Sequence, residues 1–125
     1  MQYIEISNKS VQEVVDNLKE VASKYKYGIQ HIHNVQETLK SKGIDLGNEC
    51  QIVDICNPIV AEQFLSEDMS LSIIMPCKIS VYTQGGDTMI AMNSLVQLVD
   101  DINPDMIEIA QKVQEQLLQI MDEVK

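Results

Sequence analysis

The sequence predicts an α/β (α+β) fold in which helices pack mainly on one face of a single-layer mixed, largely antiparallel sheet. Three observations carry this. Residues 77–83 and 88–92 alternate with a period of two about Gly85-Gly86, the pattern of a hairpin and hence of antiparallel pairing. Residues 11–25 and 104–124 carry broad apolar stripes at helical spacing, wide enough to cover a sheet. Helix starts recur as Asn57-Pro58 and Asn103-Pro104, where Asn caps and Pro takes the first helical position without losing a needed hydrogen bond. With 125 residues and no linker, repeat or low-complexity tract, residues 1–125 read as one domain.

In chain order, residues 2–7 mix Tyr, Ile and Ser in modest alternation and read as a strand near a sheet edge. Ser10 followed by Glu13 is a capping box, and Val11, Val14, Val15, Leu18, Val21 and Ala22 continue it as an amphipathic helix ending near Lys26-Tyr27-Gly28. Residues 29–33 form a short strand, with Ile29, His31 and His33 expected on one face and Gln30 and Ile32 on the other. A short helix over 35–42 ends at Gly43, placed as the residue just beyond its C-cap.

The third strand runs from about Cys50 to Cys56, with Cys50, Ile52, Asp54 and Cys56 on one face and Gln51, Val53 and Ile55 on the other. Asp54 is an unusual residue for the middle of a strand. A helix from Pro58 runs to about Glu67, anchored by Phe64. Residues 69–75 read as an extended segment, Leu71, Ile73 and Met75 alternating with Ser70, Ser72 and Ile74, until Pro76 interrupts it. Residues 93–100 fit either a helix capped by Asn93 or Ser94 or a further strand. The last helix presents Val113, Leu117, Ile120, Met121 and Val124 as one stripe, available to the core and to a partner subunit.

Composition narrows the function. A formal charge of −10 and the lack of a basic patch disfavour nucleic acid and anionic membrane surfaces. No apolar run approaches the length of about 20 residues that a membrane span needs, and without a basic segment leading into an apolar run at residue 1 a signal peptide is not expected. Three cysteines are too few, and odd in number, for a secreted disulfide framework, so the expected setting is the cytoplasm, with reduced thiols.

The candidate site residues gather around 49–83. Cys56 stands just before a helix start, where unpaired N–H groups and the helix dipole favour a thiolate. Cys77 begins the next strand, and the two thiols can meet if strand ends cluster. Cys50 cannot bridge Cys56 within one extended strand, because six residues at 3.3–3.4 Å each separate them by about 20 Å. Asn57 and Asp54 flank Cys56 and join it as ligand-binding candidates. His31 and His33, two apart on a strand, can face one metal, but no third ligand lies at a diagnostic spacing; the plainer reading is a pair of polar residues on a half-buried face. Gly85-Gly86 lacks the remaining glycines, the lysine and the helix of a phosphate loop. No G-x-S-x-G, H-E-x-x-H or paired-cysteine motif is present, so no cofactor and no reaction are specified.

Cys56-Asn57-Pro58, Ala61, Leu65 and Pro76-Cys77-Lys78-Ile79-Ser80-Val81-Tyr82, with Thr38-Leu39-Lys40-Ser41-Lys42-Gly43-Ile44 ahead of them, resemble the DUF302 family, a domain of unknown function with the TT1751-like fold. The resemblance spans nearly the whole chain and is strongest over 35–92. It implies the fold and a dimer, and it supplies no reaction and no catalytic residues. Links of such proteins to sulfur or redox metabolism lend weight to a thiol role. The leading expectation is a homodimeric binding or accessory protein that holds a ligand near Cys56 and Cys77. The alternatives are a thiol-dependent redox or sulfur-handling protein using those cysteines, metal or cofactor binding through them with His31 or His33, and a structural partner domain using the last helix.

Overall fold

The computed structural model describes residues 1–125 and contains β1 (Gln2–Ser7), α1 (Val11–Lys24), β2 (Gly28–Asn34), α2 (Val35–Ser41), β3 (Cys50–Cys56) and α3 (Pro58–Glu67). A 3-10 segment (Met69–Ile74), β4 (Cys77–Gln84), β5 (Asp87–Asn93), α4 (Leu95–Ile102), a 3-10 turn (Pro104–Met106) and α5 (Ile107–Val124) complete it. The strands form one sheet in the order β1-β5-β4-β3-β2. Every neighbouring pair is antiparallel, so the sheet carries no parallel component at all.

Local chemistry sets the element ends. The Ser10 hydroxyl accepts from Glu13 N at 3.1 Å while Ser10 N donates to the Glu13 carboxylate at 3.3 Å, a complete capping box. Lys26 supplies the left-handed residue that ends α1, with φ 64°, and Tyr27 N donates back to the Ala22 carbonyl. Gly43 does the same after α2 at φ 79°, and Ile44 N closes onto the Leu39 carbonyl. Ser94 accepts from Gln97 N at 3.2 Å, which settles residues 95–102 as helix.

α1 and α5 cover one sheet face. Val11, Val14, Val15 and Leu18 of α1 meet Val113, Leu117, Ile120 and Met121 of α5 over Val53, Ile55, Ile79, Val81 and Ile90, in one contiguous core. The apolar stripe of α5 is therefore buried within its own fold. α2 is the exception among the helices. Val35, Thr38 and Leu39 border a groove with His33, Ile52 and Lys78, residues of the opposite sheet face, so α2 lies on that side.

Two expectations are corrected. Residues 69–74 are a 3-10 helix, not an extended segment. The Asp68 carboxylate accepts from Ser70 N at 2.9 Å and from the Ser70 hydroxyl at 2.6 Å, which starts a turn where a strand would have left those groups unpaired. Leu71 is fully buried and Ile73 is 77% exposed. The second correction concerns β2. Its register against β3 shifts between Ile29 and His31, so Gln30 is a bulged residue and the side-chain parity slips by one. Ile29 and Ile32 consequently both pack against the core, while His31 and His33 share the other face without Ile29.

Candidate functional site

The carboxyl end of β3 and the start of β4 lie side by side, because Ile55 pairs with Cys77. The Asn57 side chain accepts from Ile59 N at 3.0 Å and from Val60 N at 3.4 Å, turning the chain from β3 into α3. The helix crosses the sheet end and presses Phe64 and Val60 inward. The 3-10 segment returns the chain through Met75 and Pro76, joined by a cis peptide, to Cys77.

These elements enclose an apolar cavity of about 30 Å³ whose wall includes Tyr27, Cys56, Phe64, Leu71, Cys77 and Val99. A second, larger cavity of about 240 Å³ adjoins it and extends toward Lys78, Met92, Leu98 and Leu117. Ile74, Met75, Pro76, Cys77 and Leu95 line both. Cys77 therefore stands on the partition between a space for one water-sized group and a space for a small organic molecule.

Electrostatically the cavity is quiet. Burial, reinforced by the neighbouring Cys56 thiol, pushes the Cys77 thiol up to about 11. Burial likewise raises the Cys56 thiol above its ordinary value. Burial raises the Tyr27 phenol too, with both cysteines adding to the effect. Its hydroxyl donates to the Gln116 side chain at 2.7 Å. No cationic side chain and no histidine borders the smaller cavity. The helix-start argument for a thiolate at Cys56 is thus outweighed by desolvation.

Asp54, His31 and His33 form a separate group on the opposite sheet face. His31, Asp54 and Lys78 occupy one row across β2, β3 and β4. The Asp54 carboxylate, with its side chain 10% exposed, accepts from Lys78 Nζ at 2.7 Å and from His33 Nε2 at 2.9 Å. Burial alone would raise the Asp54 carboxyl; the hydrogen bonds and charges of Lys78 and His33 more than reverse that and hold it below the usual carboxylate range. The His31 ring stands edge-on to His33 with centroids 4.4 Å apart. No group of three or more His, Cys, Asp or Glu side chains is arranged to hold a metal ion. Cys50, paired opposite Tyr82, belongs to neither site, and no disulfide links the three cysteines.

The structure therefore joins Cys56, Asn57 and Cys77 at one cavity and detaches Asp54 from them. Sequence reasoning missed Tyr27, Met75 and Leu95 as walls of that cavity, and Lys78 as the partner of Asp54. The Lys78 signal is the strand register, which pairs it opposite Asp54 only once β3 and β4 are aligned.

Fold and cavity together define a class: an α/β domain with one antiparallel sheet and an apolar cleft bounded by two protonated thiols. The chain belongs to the DUF302 family, Domain of unknown function DUF302, whose sequence model matches residues 3–124. It is similar to the crystal structure of an uncharacterized conserved DUF302 protein from Bacillus stearothermophilus, with a TM-score of 0.95 and 29% identity over 99% of this chain and 98% of that one. No curated protein matches it. No helix is long and apolar enough to cross a membrane.

Proposed function

We propose that this DUF302 domain is a homodimeric binding or accessory protein of the cytoplasm, and that its ligand is a neutral, apolar small molecule lodged beside Cys77. One observation carries the reading: Cys77 lines two adjoining cavities, the smaller almost wholly hydrophobic and the larger mainly so, with Lys78 and Asn93 on its rim. A protonated thiol behaves as a small, polarisable apolar group, so Cys77 and Cys56 serve as lining. Thiol-dependent redox or sulfur chemistry is the weaker alternative, because burial raises both thiols and no cationic side chain or histidine borders the smaller cavity they share.

The dimer is supported by the sheet face away from α1 and α5. Two cross-strand rows lie there beyond the part covered by α2, Ile4–Ala91–Ser80 and Ile6–Met89–Tyr82–Cys50, and neither contains a carboxylate. Ile4 is 49% exposed and Ile6 60%. In a chain of net charge −10 this is a surface where two copies meet without acid facing acid.

The test uses 1-aminoanthracene, an uncharged fluorophore. Saturable enhancement, displaced by 1-octanol and lost in Leu98→Trp, which fills the larger cavity, is the expected result. Absence of saturable enhancement, or unchanged enhancement in Leu98→Trp, removes the binding reading. Sedimentation velocity tests the dimer: the wild type sediments as a dimer and Ile6→Glu as a monomer, whereas a monomeric wild type removes the homodimer.

A further inference from the structure

The Asp54 cluster borders its own groove. A shallow hollow of about 400 Å³ runs between α2 and the sheet, lined by His33, Val35, Thr38, Leu39, Ile52 and Lys78. We infer that this groove is a second binding site, for a small monocarboxylate whose head meets Lys78 and His33 and whose apolar body lies on Val35, Leu39 and Ile52.

The cluster is not explained by stability. A buried carboxylate with ionic partners contributes little net stability, and apolar replacements of such groups are often neutral or stabilising. The rows beside it on this face carry Ile52, Ala91, Ile4, Met89 and Ile6, so an aliphatic residue at position 54 would suit its neighbours. Asp54 instead fixes two donors from different strands. Its Oδ1 holds the Lys78 ammonium and its Oδ2 holds the His33 ring, both on their inner sides. The outer sides remain in water: the Lys78 side chain is 56% exposed and that of His33 is 45% exposed.

An ammonium has three N–H donors, and the bond to Asp54 uses one of them. The remaining two are presented at the end of an apolar trough, held in place before any ligand arrives. Thr38 adds a hydroxyl on the α2 side. Asp54 also limits the charge that fits. With its single ammonium already offset by Asp54, the groove has no surplus positive charge to neutralise a dianion, whose desolvation costs more, so a monoanion is favoured.

Benzoate is the probe, and the two histidines make it readable, since the chain has only His31 and His33. Their ring signals in a 1H–15N spectrum are told apart with a His31→Gln variant. Benzoate is expected to shift the His33 ring saturably, and benzyl alcohol, its neutral analogue, to leave it unmoved. Lys78→Met should weaken benzoate by about tenfold or more while Lys78→Arg keeps most of the affinity. Leu39→Ala should weaken it without altering charge, and circular dichroism checks that each variant is folded.

No saturation at tens of millimolar, or equal binding of benzyl alcohol, overturns the inference. So does benzoate binding that survives Leu39→Ala but is lost in Leu98→Trp; that result places benzoate in the Cys77 cavity, which Lys78 also borders, and leaves the proposed function standing. Conversely, 1-aminoanthracene can fail to bind while benzoate still shifts His33, which separates the two sites.

Discussion

Reading Cys56 and Cys77 as cavity lining is most directly tested at Cys77, by its alkylation rate against pH. With the thiol pushed up to about 11, only about one Cys77 in a thousand is thiolate at pH 8. A free cysteine, with a pKa of about 8.5, is about one quarter ionised there, a ratio of roughly 240. The more basic thiolate is intrinsically the better nucleophile, and a Brønsted slope of about 0.4–0.5 recovers roughly tenfold. Cys77 is therefore expected to react with iodoacetamide about 20-fold more slowly than free cysteine at pH 8, before steric exclusion slows it further. The assay is a quenched time course read by mass spectrometry of the Cys50, Cys56 and Cys77 peptides separately. Between pH 7 and pH 10 the logarithm of the Cys77 rate should rise about one for one with pH. A plateau below pH 9, or a rate at pH 8 matching free cysteine, would refute the desolvation argument and restore a thiolate-based role.

Asp54→Leu is expected to leave stability within about 1 kcal/mol of wild type, because Lys78 and His33 are half-exposed and return to water. Asp54→Ala should cost about 1–2 kcal/mol through lost packing and pairing, both values read from urea denaturation. The Asp54 carboxyl is held below its ordinary value in the fold, so its contribution is fully present above about pH 4 and fades as pH falls through the lowered value. Wild type should therefore lose more stability between pH 5 and pH 2 than Asp54→Leu; parallel acid profiles would contradict the pairing. Leu71→Ala, at a fully buried side chain of the 3-10 segment, should cost about 3 kcal/mol and enlarge the cavity it lines. A cost under about 1 kcal/mol would mean the segment does not anchor the core.

What was legible in the sequence was whatever short-range chemistry decides. Ser10 with Glu13, Asn57 with Pro58, and Gly85 with Gly86 each fix a local geometry from residues a few positions apart, and each element stands where those residues place it. Residues 69–75 show the limit of period counting. Ser70 and Ser72 set between aliphatic side chains satisfy a strand as well as two turns of 3-10 helix, and the deciding group is the Asp68 carboxylate just outside the pattern. The bulge at Gln30 leaves no composition signal, because it is a property of how β2 pairs with β3. The side of the sheet taken by α2 is equally invisible: the helix has no buried residue to declare a face. At the cavity, strand ends clustering was a sound reason to expect Cys56 near Cys77. Their desolvation depends on Phe64, Leu71 and Leu95 arriving from three other segments.

The strand order has a consequence for how the chain comes to be assembled. β2 through β5 are neighbours in the sheet in the same order as in the chain, so each can zip onto its predecessor as it emerges. β1 is different: its sole partner, β5, lies about 80–90 positions further on. The earliest strand synthesised must wait, unpaired, until β5 exists, about three quarters of the way along the chain, and its closure carries the largest loop entropy of any pairing in the sheet. During that interval Ile4 and Ile6 sit on an open backbone ladder, which makes the amino-terminal segment the point where folding is slowest and most exposed to wrong partners.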